Sequence, residues 1–187
     1  MGNKKQIPQL KANIYIDGAN MFYTQRKLGW FFDFKKIKKH LEKDFDVLSI
    51  KYYTGIKPED PKMNSFLKYL DKVGIEPITK PLKQIRDGKG IIYKSNFDVE
   101  MTIDILLERS SYDTCILFSG DSDFEAVVKK LKDFGKKTVV YSSRKTISWE
   151  LKLVANKYFF FEDLKKELKR SPKKTSALLE RSSVKLK

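Results

Sequence analysis

Three short acidic motifs in this sequence are equipped for chemistry. They are Ile16-Asp17-Gly18-Ala19-Asn20, then Asn96-Phe97-Asp98-Val99-Glu100 running on to Asp104, and Ser119-Gly120-Asp121-Ser122-Asp123-Phe124. Carboxylates brought within a strand spacing of one another repel unless one is protonated or a cation lies between them. A few hard oxygen ligands suit Mg2+ or Mn2+, ions that activate water and offset charge on a phosphodiester. Each motif alone has an ordinary use, since Asp and Asn after a strand cap helices and Asp-Gly makes turns. Their conjunction at one sheet edge is what points to a metal site. Asp123 also suits the first turn of a helix, where the dipole favours an acid. Asp104 follows Asp98 by six residues, about 240° around a helix, so the two do not aim at one ion. It aligns instead with Glu100 and Glu108, as on a solvated face, and ranks as a supporting group. Asn20 is open to three roles: capping a helix, orienting Asp17, or bonding a phosphate.

The elements that must position these motifs alternate along residues 12–164. Ala12-Asn13-Ile14-Tyr15-Ile16 reads as a buried strand, with a helical segment from Asn20 to Leu28. Asp33 is placed to cap a helix carrying Phe34, Ile37 and Leu41, and Val47 to Tyr53 turns extended. Asp60-Pro61 supplies a cap and a first-turn proline for a helix that Gly74 stops. Residues 75–93 read as a strand and a hairpin-like excursion with a turn at Asp87-Gly88, and a helix covers about 97–109. The apolar run Thr114–Phe118 is a fully buried strand, and Phe124, Val127, Val128 and Leu131 mark a helix ending at Gly135. A strand at 138–141, a helix at 147–155 and a strand at 157–160 complete the pattern. Strands apolar on both faces between amphipathic helices predict an α/β fold with a central, mostly parallel sheet covered on both faces. In such sheets ligands bind at the carboxyl ends of the strands. The pattern leaves the strand order open.

Composition narrows the chemistry. The 187 residues carry 39 Lys and Arg against 24 Asp and Glu, a formal charge of +15, so a polyanion is the expected partner, nucleic acid ahead of acidic lipid. Residues 165–187 hold nine Lys or Arg against two acids, and Lys4, Lys5 and Lys11 lie at the other end. Residues 1–11 and 170–187 are therefore expected to be flexible basic arms around a domain at 12–169. One histidine, His40, leaves no Ser-His-Asp or Cys-His chemistry unless it serves, and makes a zinc site improbable. His40 lies on the polar side of its helix and is expected to be exposed and inert. One cysteine, Cys115, excludes an internal disulfide, fits a cytoplasmic location, and reads as a small buried hydrophobe. No apolar run is long enough to cross a membrane, and no apolar leader is expected at the N-terminus. Of the aromatics Phe22, Tyr23, Trp30, Phe31, Phe32 and Phe34, most should be core, leaving one or two to stack on an unpaired base. Lys94, Arg144 and Lys145 are the candidate nucleic-acid contacts within the domain. Arg86-Asp87-Gly88-Lys89-Gly90 lacks the strand-to-helix context of a phosphate loop and reads as a turn.

Taken together, the three motifs resemble the NYN domain, the LabA-like branch of the PIN-like nuclease superfamily. The matching residues are Ile16–Asn20, Asp98-Val99 with Asp104, and Phe118–Phe124, in order and spacing over about 12–162. The resemblance implies a Rossmann-like PIN fold and RNA cleavage with a divalent metal. It implies Asp17, Asp98 and Asp121 as catalytic, metal-binding carboxylates, Asp123 as an additional or water-mediated ligand, and Asn20 and Ser119 in support. Ser95-Asn96 stand where the family often has Lys-Gly, and Asn156 replaces a later acid. The expectation is thus a Mg2+- or Mn2+-dependent ribonuclease acting on single-stranded RNA, possible as a homodimer. The rival readings are a catalytically silent RNA-binding or scaffold module, and phosphotransfer on a small nucleotide. The last would want a nucleophilic Asp and a better phosphate loop.

Overall fold

A computed structural model of the chain describes residues 9–57, 59–87 and 90–171. The expected tail beyond 171, most of the N-terminal arm, and the Gly88 turn position lie outside these residues. The chain first builds β1 (Leu10–Asp17), α1 (Gly18–Leu28), α2 (Phe34–Leu41), β2 (Phe45–Ile56), α3 (Pro61–Lys72) and β3 (Glu76–Pro81). The excursion follows as β4 (Lys83–Asp87) and β5 (Gly90–Lys94), an antiparallel pair apart from the main sheet. Then come α4 (Asp98–Leu107), β6 (Thr114–Phe118), α5 (Glu125–Asp133), β7 (Lys137–Ser142), α6 (Trp149–Val154), β8 (Lys157–Phe160) and α7 (Lys165–Leu168).

The six-stranded sheet runs β3-β2-β1-β6-β7-β8, and every described pairing in it is parallel. The chain works outward from β1 to β3, then crosses to β6 and works outward the other way. The reversal therefore falls between β1 and β6, the place where open α/β sheets form their ligand crevice.

Alternation along the strands assigns the two faces. Ile14, Ile16, Ile116, Phe118 and Tyr141 pack with residues of α1, α2, α3 and α7. Tyr15, Tyr53, Cys115, Leu117 and Val140 pack with α4, α5 and α6. Phe118 and Tyr141 stack with centroids 4.7 Å apart, and Tyr141 stacks on Phe159 at 5.0 Å, which continues the first core across β6, β7 and β8. The caps read from sequence operate: Asp33 accepts from the Lys36 amide and Asp60 from the Lys62 and Met63 amides. Gly29, Gly74 and Gly135 end or follow helices at positive φ, the conformation glycine adopts without strain.

Two expectations need correction. His40 is not a free surface residue. Its Nδ1 lies 2.9 Å from a Glu167 carboxylate oxygen and its ring meets Tyr141 edge-on, because α7 returns against α2. Asp104 and Glu108 do not form a solvated face. Lys51 of β2 reaches up between them, pairing with Asp104 at 3.1 Å and also with Glu108. The Tyr53 hydroxyl donates to Asp104 at 2.7 Å, and the Tyr15 hydroxyl donates to Glu108 at 2.8 Å. This clamp ties the outer end of α4 to β1 and β2. Substituting Lys51 by Met would leave two carboxylates facing each other without a cation. Urea denaturation should show a loss of about 2 kcal/mol, less than for a fully buried pair. Asp133→Ala, which removes an exposed partner of Lys130, should stay within about 0.5 kcal/mol.

Candidate metal centre

Asp17 ends β1 and caps the helix it launches: its Oδ1 accepts from the Asn20 amide at 3.0 Å. Gly18 follows because a Cβ there would overlap the Tyr53 carbonyl and the Tyr52 ring. The β1–β6 register pairs Ile16 with Phe118, so Asp17 and Ser119 emerge side by side. Ser119 is fully buried; its hydroxyl donates to Asp17 Oδ2 at 3.1 Å and accepts from the Asp121 amide at 3.2 Å. One hydroxyl thus joins the ends of two strands. Asp121 caps the 3-10 turn Ser122–Phe124 by accepting from the Asp123 amide at 3.1 Å, and Gly120 lies where a Cβ would overlap the Thr146 carbonyl. Asp98 is the first residue of α4, its amide bonded to Asn96 Oδ1 at 3.0 Å.

Asp98, Asp121 and Asp123 each present a carboxylate oxygen within 4.8 Å of the others. Asp17 stands outside this trio. It lies deeper, with its oxygens engaged by the α1 amide and Ser119. The expected ranking of Asp17 over Asp123 is therefore not the order of proximity. All four line one cleft of about 330 Å³ with Ala19, Asn20, Tyr23, Tyr53, Thr54, Gly55, Ser95, Asn96 and Phe97. No lysine or arginine is among its described lining residues.

The electrostatics follow from that composition. Burial raises the Asp17 carboxyl above its ordinary range against the Asn20 amide and Ser119 hydroxyl, with Asp98 and Asp121 raising it further. Burial likewise raises Asp98, opposed by Asn96 and reinforced by Asp121, Asp123 and Glu100. Ionised, these groups meet no cationic side chain among the cleft's described lining residues. The donor set, three carboxylates around one point with a fourth behind, fits a hard divalent cation.

The other expected site residues divide. Asn20 lines the cleft, its Oδ1 accepting from Thr24 Oγ1 at 3.5 Å. Asp104 is held in the Lys51 clamp, away from the trio. Arg144 is bound bidentately by Asp163 at 3.0 and 2.8 Å and lies over Phe160, while Lys145 is exposed beside it. Lys94 ends β5. Asn156 bonds the Thr138 amide at the start of β7, the opposite sheet edge from the acids. Sequence reasoning missed Glu162, just past β8, which accepts from the Ser143 hydroxyl and Arg144 amide and so fixes the loop packed on Gly120. An acid directly after the last strand was the available signal.

The sign of the pH effect is fixed by the raised carboxyls. The folded state binds more protons than the unfolded state above the ordinary Asp pKa of about 3.8, so stability falls as pH rises through the raised values. In chelator, Asp98→Asn should therefore be more stable than the parent at pH 7, and flatter between pH 4 and 7. Millimolar Mn2+ should stabilise the parent and not the variant. Melting curves with and without Mn2+ check both.

Comparison with known proteins agrees with this arrangement. The profile of the NYN domain matches residues 11–165. Over 158 residues the chain is 34% identical to the low amplitude and bright protein LabA of Synechococcus elongatus, covering 81% of this chain and 84% of that protein. A crystal structure of a Vibrio parahaemolyticus protein of unknown function superposes with a TM-score of 0.76 at 31% identity, over 88% of this chain and 99% of that one.

Proposed function

The chain belongs to the NYN domain family, and we propose that it is a metal-dependent ribonuclease. The observation that carries the reading is the Asp98, Asp121 and Asp123 trio in a cleft whose described lining residues include no lysine or arginine. PIN-like nuclease membership supports a phosphodiester as substrate. A bound Mg2+ or Mn2+ would lower the pKa of a water and offset charge on the scissile phosphate.

The protein's own residues do the rest. Asp98, Asp121 and Asp123 would hold the cation from two backbone anchors: Asp98 from the first turn of α4, and Asp121 and Asp123 from the cap and first turn of the 3-10 turn that follows β6. Ser119 keeps Asp17 and the Asp121 amide in fixed relation, so the strand ends move together. Asp17 completes the negative field from behind the trio. Asn20, its amide oxygen turned toward Thr24, has its amide nitrogen left to donate toward a phosphate oxygen in the cleft. With no cation among the described lining residues, the RNA backbone is met by basic residues around the cleft, drawn from those that give the chain its +15. That contact carries no sequence choice and weakens with salt. Lys94, Arg144 and Lys145 are proposed as part of it.

Purified protein with Mn2+ should degrade single-stranded RNA, and Asp121→Asn should slow it by roughly 100-fold or more, the weight of a metal ligand in stabilising charge. Binding should weaken steeply between 50 and 200 mM salt. Equal cleavage by the variant would assign the activity to a contaminant. Binding of RNA and Mn2+ without cleavage would make the domain a binding module.

A further inference from the structure

The stretch after the first motif treats its aromatics in two ways. Trp30, Phe32 and Phe34 are buried in the first core, with Trp30 and Phe32 edge-to-face at 4.9 Å. Phe22 and Tyr23 stay 51% and 60% exposed although they belong to a regular helix whose Met21 and Thr24 are buried. The helix phase explains the outward direction and not the choice of two large rings there. Tyr23 follows Asn20 by three residues, nearly one turn, so both face the same side, and both line the acidic cleft. Its ring is held by Phe22 at 5.5 Å and 77°, which fixes an edge and leaves a face open. Among the described residues nothing bonds its hydroxyl, so the ring is not there to serve an internal hydrogen bond.

We infer that Tyr23, supported by Phe22, is a stacking platform for an unpaired nucleobase of the chain whose phosphate lies at the acidic trio. The inference rests on the nucleic-acid reading above and adds a base contact to it. A cleft of about 330 Å³ has the volume for one nucleotide. In a paired stem both faces of each base are already covered, so an aromatic face at the rim engages only a base that has left the stack. Arg26, one turn beyond Phe22, places its guanidinium 5.7 Å from the centre of the Phe22 ring. That puts a cation beside the platform, where the flanking phosphate of a stacked nucleotide needs one and where the described lining residues supply none. The stacking energy does not depend on base identity, because every base has a π face.

The test compares two labelled probes on the full chain carrying Asp121→Asn, which keeps the probe intact: an eight-residue oligouridine, and an abasic ribose-phosphate oligomer of equal length. Fluorescence anisotropy should show tighter binding of the base-bearing probe. Tyr23→Ala should weaken that binding by about 5- to 150-fold and leave the abasic probe within about twofold. Tyr23→Phe and Tyr23→Trp should retain the preference. With Tyr23 largely exposed, none of these changes should alter the melting temperature appreciably. An equal effect on both probes, no effect on either, or no binding of either would overturn the platform. Cleavage by the unaltered chain is scored separately with Mn2+. Loss of the base preference with cleavage intact removes the platform alone, and absence of cleavage with the preference intact removes the nuclease reading alone.

Discussion

Repulsion among carboxylates at the junction of β1 and β6 is the constraint around which this fold is arranged. A parallel pair delivers both strand ends to one edge; β1 ends in Asp17, which caps the helix after it, and Asp121, three residues past the end of β6, caps the 3-10 turn that follows. The caps are ordinary, and their coincidence is not. The hydroxyl of Ser119 and the amides of α1 and the 3-10 turn absorb part of the charge. The remainder meets no lysine or arginine among the described lining residues of the cleft, an arrangement that suits a hard divalent cation.

Helix α4 shows the contrast within ten residues. Glu100 near its start is paired by Lys80, and Asp104 and Glu108 toward its far end share Lys51. Asp98, at the tip that enters the cleft, is set against other acids instead. A chain with 39 basic residues had no shortage of cations to place there. The same helix therefore carries acids in two settings: Glu100, Asp104 and Glu108 neutralised within the fold, and Asp98 set among other acids.

Most of this was legible in the sequence because the elements are strongly patterned and the caps are local. Asp33, Asp60-Pro61 and the apolar run of β6 carry their own instructions, and the parallel α/β class follows from them. The strand order was not legible, since it depends on which edges meet across long separations. The acids at three strand or helix ends were found by type, yet their roles were set by partners distant in sequence. Asp104 looked solvated because Lys51 lies 53 residues earlier, and His40 looked free because Glu167 lies 127 residues later. Asp17 and Asp123 could not be ranked by proximity until Ser119 was seen to engage one of them.

The clamp on α4 has a mechanical meaning as well as an electrostatic one. A helix transmits displacement along its axis with little loss, and Asp98 and Glu108 lie at opposite ends of the same rod. Sliding that rod by a single residue is a step of about 1.5 Å, a large fraction of the 4.8 Å that encloses the trio. Lys51, Tyr15 and Tyr53 grip the far end at fixed height on β1 and β2, the strands beside which the other acids emerge. The position of the acidic tip is thereby set at the other end of the helix, by a lysine and two tyrosines of which only Tyr53 also borders the cleft, and a mutation there would be felt as misregistration rather than as lost chemistry.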